Sequence, residues 1–83
     1  MKIYVVTMYR WGDNENHSYV VGAFVDDLDK AVQLGHEVME YRGGKYEPEI
    51  VSFDNSTDPP RMTIEREASD FHKKLEFKNI HLQ

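Results

Sequence analysis

At 83 residues the chain has room for one domain with a thin core, because small domains leave a large share of their surface in water. Its 40% hydrophobic and 30% charged residues, with one Trp, five Tyr and four Phe, exclude a charge-rich disordered chain. The lack of cysteine excludes a disulfide framework, a thiolate zinc site and a thiol nucleophile. The net charge of −5 is uneven, with eleven Asp/Glu against five Lys/Arg in residues 1–58 and four against five in residues 59–83. Such a balance disfavours a nucleic-acid partner, whose affinity comes largely from counterion release, and favours solubility or a basic protein partner.

Residues 2–11 (KIYVVTMYRW) are rich in β-branched and aromatic side chains and read as a strand. They read this way rather than as a leader or a membrane span, for which the apolar run is too short. Alternation puts Ile3, Val5, Thr7 and Tyr9 on one face and Tyr4, Val6 and Met8 on the other. Both faces are apolar, so the strand should be central and covered on each side.

Residues 12–16 (GDNEN) form a turn cluster, and 17–25 (HSYVVGAFV) a second strand, completing a hairpin. Within it Gly22 marks a bulge or a close contact.

From Asp26 the period becomes helical. Asp26 and Asp27 are N-cap residues, and Asp29 adds negative charge where the helix dipole is positive. Leu28, Ala31, Val32, Gly35, Val38 and Met39 make an apolar stripe, with Lys30, Gln33, Glu37 and Glu40 facing water. Gly43 and Gly44 end the helix as a left-handed C-cap. A superficial likeness of Arg42-Gly43-Gly44-Lys45 to a phosphate loop fails, because a phosphate cradle needs a helix to begin there, not to end.

Residues 45–53 (KYEPEIVSF) predict a third strand, with Pro48 implying an edge position or pairing that begins after the proline. Residues 55–60 are a loop. Ile64, Ala68, Phe71 and Leu75 then form a helical stripe after Asp58 and Pro60, predicting a helix over 61–78 within the C-terminal segment 61–83. Against it, Met62 and Ile64 alternate like a short strand, and Ser69-Asp70 could start a later helix.

These elements predict a single α+β domain with a β-β-α-β core over residues 1–54. Its three-stranded antiparallel or mixed sheet, in order 2-1-3, packs on one helix, and a right-handed crossover leaves the first strand in the middle. One helix covers one face only. The other face needs the C-terminal helix, a second subunit or a partner; left bare, it becomes the leading interaction site.

Tyr9, Arg10 and Trp11 beside the turn, with His17 just after it, offer the large area and polar handles of binding hot spots. Asp26, Asp27 and Asp29 form an acidic flank. Asp13, Glu15 and His17 do not match a calcium loop or a helical His pair, and the four histidines show no metal spacing. No Ser-His-Asp order or nucleophile elbow appears, so no catalytic residue, metal or cofactor is expected.

The stretches Tyr9-Arg10-Trp11-Gly12, His17-Ser18-Tyr19-Val20-Val21-Gly22 and Arg42-Gly43-Gly44-Lys45-Tyr46 resemble small phage or prophage early proteins. Residues 23–31 are similar to compact phage proteins that inhibit host enzymes. The resemblance covers residues 1–54, supplies no functional residue, and implies an interaction protein working in the host cytoplasm. The leading expectation is a non-catalytic protein-binding module, an inhibitor or modulator of a host or defence protein. The alternative is a small-ligand or nucleotide binder acting as a homodimer, with Tyr, Arg and His gripping base and phosphate.

Overall fold

The computed structural model describes residues 1–11 and 16–71. In chain order these form β1 (Lys2–Trp11), β2 (Asn16–Val25), α1 (Leu28–Tyr41), β3 (Glu47–Asp54) and β4 (Arg61–Arg66). A short helical turn follows over 68–71. The four strands make one sheet in the order β2-β1-β3-β4, with every neighbouring pair antiparallel.

The doubly apolar β1 is interior, as its composition predicts, flanked by β2 and β3. Between β1 and β2 the register shifts where Val6 faces Gly22 and Thr7 faces Val20, leaving Val21 as the extra residue of a bulge. Gly22 also lies under α1. A Cβ there would sit 2.6 Å from Leu34 Cδ2, so both roles expected of this glycine are present.

The helix starts and stops where its caps require. Asp27 Oδ1 accepts the Lys30 backbone N–H at 3.0 Å, satisfying one of the free amides of the first turn. Asp26, at φ 53°, enters the left-handed region that Asp tolerates better than most residues, and its Oδ1 accepts the Lys2 amide at 2.9 Å. Gly43 and Gly44 have φ of 66° and 78°, and their amides donate to the Glu40 and Met39 carbonyls. That is the predicted left-handed exit.

The core lies between α1 and one sheet face. Val6, Met8, Ala31, Met39, Ile50 and Phe71 are its buried apolar residues. Each larger one contributes about 1.5–3 kcal/mol by burial. Ser52 is the buried polar residue, and its Oγ donates to Glu65 Oε2 at 2.7 Å, which removes the cost of an unpaired hydroxyl. Gly35 lets Phe71 approach the helix: a Cβ there would meet the ring at 2.7 Å and Pro48 at 3.2 Å.

Two expectations need correction. Residues 61–66 are not the start of a helix but a fourth strand, β4, on the free side of β3. Ile64 belongs to that strand, while Ala68 and Phe71 belong to the turn after it, so the apparent helical stripe joins two elements. The remainder of the expected 61–78 helix lies outside the described residues. Nor is β3 an edge strand. It is enclosed by β1 and β4, and Pro48 pairs with Met8 on one side, while pairing with β4 begins at Ile50 on the other. The other alternative holds on the β4 side, where pairing begins after the proline, which stands beyond the end of β4.

Candidate functional site

Among the described residues, no element covers the sheet face turned away from α1. Strand register assembles it in rows. Val25, Ile3, Phe53 and Met62 lie side by side across all four strands. In the next row stand Ala23, Val5, Val51 and Ile64. A third row begins with Val20 and Thr7 and reaches Glu49 on β3; a fourth runs from Ser18 through Tyr9 to Glu47. The first two rows carry no charge.

The described residues leave much of this surface open, although Ile3, Val5, Thr7 and Val51 on the two central strands are half-buried. Val20 is 62% exposed, Met62 61%, Val25 56%, Ile64 51% and Phe53 41%. Isolated exposed apolar residues are ordinary, but a contiguous patch spanning a whole sheet is not. The sequence leaves this face to the C-terminal helix, a second subunit or a partner, and residues 72–83 of that segment lie outside the described residues. β4 brings Met62 and Ile64 to the face, and the chain then crosses to the α1 side, where Phe71 packs against Gly35 and, at 4.8 Å between ring centres, against His36.

One end of the face is acidic. Tyr9 Oη donates to Glu49 Oε1 at 3.2 Å. Partial burial and the neighbouring Glu49 carboxylate, in that order, raise the phenol above its ordinary pKa.

The anchors proposed from the sequence do not form one site. Tyr9 lies on the open face, half-buried, whereas Arg10 projects from the opposite face, where its guanidinium is 6.0 Å from the Tyr46 ring centre. Trp11 ends β1 opposite Asn16, and His17 is exposed opposite Arg10. Asp26, Asp27 and Asp29 lie at the other end of β2, roughly 30 Å away for a ten-residue strand. Asp26 and Asp27 there hold the β2–α1 junction together. Asp13 and Glu15 lie outside the described residues; among those described, no group of three His, Asp or Glu side chains is placed to hold a metal ion.

Sequence reading missed an arginine–tyrosine cluster on the α1 side. Arg42 Nε donates to Tyr19 Oη at 3.0 Å, and its guanidinium lies 4.6 Å from the Tyr46 ring centre. The two tyrosine rings meet edge to face at 5.4 Å. The Tyr19 hydroxyl bond raises the Arg42 pKa above its already high ordinary value, so it stays a cation. No local sequence signal joins Tyr19, Arg42 and Tyr46; the β2-β1-β3 order does.

A cleft of about 330 Å³ opens beside β4, lined by Val32, His36, Glu65, Arg66, Asp70 and Phe71. Its polar groups are already engaged. Glu65 accepts from Ser52 and lies 3.8 Å from Lys2 Nζ, Asp70 accepts the Glu67 amide, and Arg66 donates to the Glu65 carbonyl.

The chain matches no family profile, no curated protein and no solved structure, so the comparisons add no support to the phage-protein resemblance. No helix among the described residues is long and apolar enough to cross a membrane.

Proposed function

We propose that the protein is a non-catalytic interaction module whose recognition surface is the sheet face opposite α1. The observation that carries this reading is the pair of uncharged apolar rows running across all four strands, with Val25, Phe53, Met62 and Ile64 in water. Covering on the order of 500 Å² of such surface releases roughly 12 kcal/mol before the entropic costs of association are met. A polypeptide presenting a complementary flat apolar surface recovers that energy; a small polar ligand does not.

The test is retention of a protein ligand, foreign or a labelled copy of this chain, on the immobilised chain and on a variant carrying Met62→Glu and Ile64→Glu. Retention that disappears with the variant supports the reading. Equal retention by both moves recognition elsewhere and contradicts it.

A second reading is favoured by the Arg42–Tyr19–Tyr46 cluster, whose stacked guanidinium suits an anion or a nucleobase with a phosphate. Saturating nucleotide should then raise the melting temperature, because a ligand bound only to the folded state stabilises it. A flat response in the wild type removes this reading.

A further inference from the structure

We infer that the occupant of the open face is a second copy of this chain, packed sheet against sheet about a two-fold axis that runs across the strands. The inference names the partner of the surface proposed above and rests on that reading.

Charge separates a second copy from a basic partner. The chain carries −5 overall, yet the first two rows of the open face hold no carboxylate, and its acids, Glu47 and Glu49, stand together at one end of β3. A basic protein would find its complement only at that end. An uncharged, flat, apolar surface is complemented by another of the same kind, and a two-fold interface requires a patch to be complementary to itself.

The acidic end also selects the axis. With the axis across the strands, the Glu47 and Glu49 ends of the two copies point to opposite ends of the dimer. With the axis along the strands, all four carboxylates would gather at one end, where like charges repel. Paired sheets of this type lie ~10 Å apart with strands within about 30° of alignment.

The area suffices for reversible pairing. Each position on one face of a sheet occupies ~4.8 Å by ~6.8 Å. The first two rows with Val20 and Thr7 thus project over roughly 330 Å², and with side-chain relief two copies bury on the order of 1,000 Å² in all, near the lower limit of a specific interface. A dimer of that size dissociates on dilution.

Light scattering of the full chain over a hundredfold dilution tests this, read together with relaxation of the Val25, Val51 and Ile64 methyl signals by a soluble paramagnetic agent. The expected result is twice the chain mass at high concentration, falling to the chain mass on dilution as the methyls become open to the agent. Met62→Glu with Ile64→Glu on β4, and separately Val25→Lys on β2, should give the chain mass throughout while melting cooperatively. A nitroxide on Glu47→Cys, the sole cysteine then present, should report a longer distance between copies than strand-parallel packing allows; a short distance overturns the axis. A dimer indifferent to both variants overturns the inference, because another surface then makes it. A monomer with open methyls overturns self-pairing and leaves the recognition reading standing. A monomer with shielded methyls at every concentration means the chain covers its own face, and both readings fall.

Discussion

The two faces of the sheet are built from the same four strands and similar apolar side chains, yet they meet different fates. On the α1 side Val6, Met8 and Ile50 are fully buried, and the one buried hydroxyl, on Ser52, is matched by Glu65. On the far side Val25, Met62 and Ile64 are more than half exposed. The difference comes from topology. A single crossover helix covers one face, and the segment after β3 joins the sheet as β4 before Phe71 returns to the covered side. Among the described residues, one face of the sheet is thus packed into a core while a second apolar surface stays open on the other.

The largest contrast should come from matched truncations on the two faces. Ile50→Ala, in the core, should lower unfolding free energy by about 2–5 kcal/mol, measured by urea denaturation; Ile64→Ala, half exposed on β4, should cost under ~1 kcal/mol in the dissociated chain. Similar losses would break the distinction between faces.

Gly35→Ala sharpens it. The added methyl gains about 1 kcal/mol of helix propensity but meets the Phe71 ring and Pro48. Overpacking costs about 1–3 kcal/mol, so a net loss near 1 kcal/mol is expected. Gly22→Ala should cost less, since its close neighbour is the movable end of Leu34. A larger loss at Gly22 in the same denaturation series would contradict this account of how the helix seats.

Asp27→Ala removes the cap accepted from Lys30 and should cost ~1 kcal/mol without changing self-association by light scattering. Loss of association instead would return the acidic flank to a recognition role.

The smallest effect is at Asp54. The Ser56 amide, bonded to its carboxylate at 2.9 Å, lowers the Asp54 pKa below its ordinary value, with Lys2 a lesser contributor. A depressed folded-state pKa gives stability that is present above the unfolded value and lost as pH falls through the folded one. Asp54→Asn should therefore lower the melting temperature slightly near neutrality, and its difference from the wild type should vanish as pH falls below about 4, where the carboxylate is protonated in both states. An equal loss at low pH would assign Asp54 a packing role.

Much of the covered side was legible in the chain. Two-sided apolarity placed β1 inside, Asp27 and the Gly43-Gly44 pair bounded α1, and the change of period at Asp26 separated hairpin from helix. β4 was not legible in the same way. Six residues are too few for alternation at Met62 and Ile64 to outweigh a stripe that runs on through Ala68 and Phe71, and only pairing with β3 decides between them. The need for a covering layer on the far face followed from composition, but its extent did not, because two of its most exposed residues come from that strand. The Tyr9–Glu49 bond and the Arg42–Tyr19–Tyr46 cluster depend on strand order and register, which no local pattern encodes.

The central claim is tested most directly by comparing methyl groups on the two faces in the monomeric variant carrying Met62→Glu and Ile64→Glu. With a soluble paramagnetic agent present, Val25 and Val51 should relax strongly while Val6 and Ile50 stay protected. Equal protection of all four would show the far face already sealed, and the proposed recognition surface would not exist.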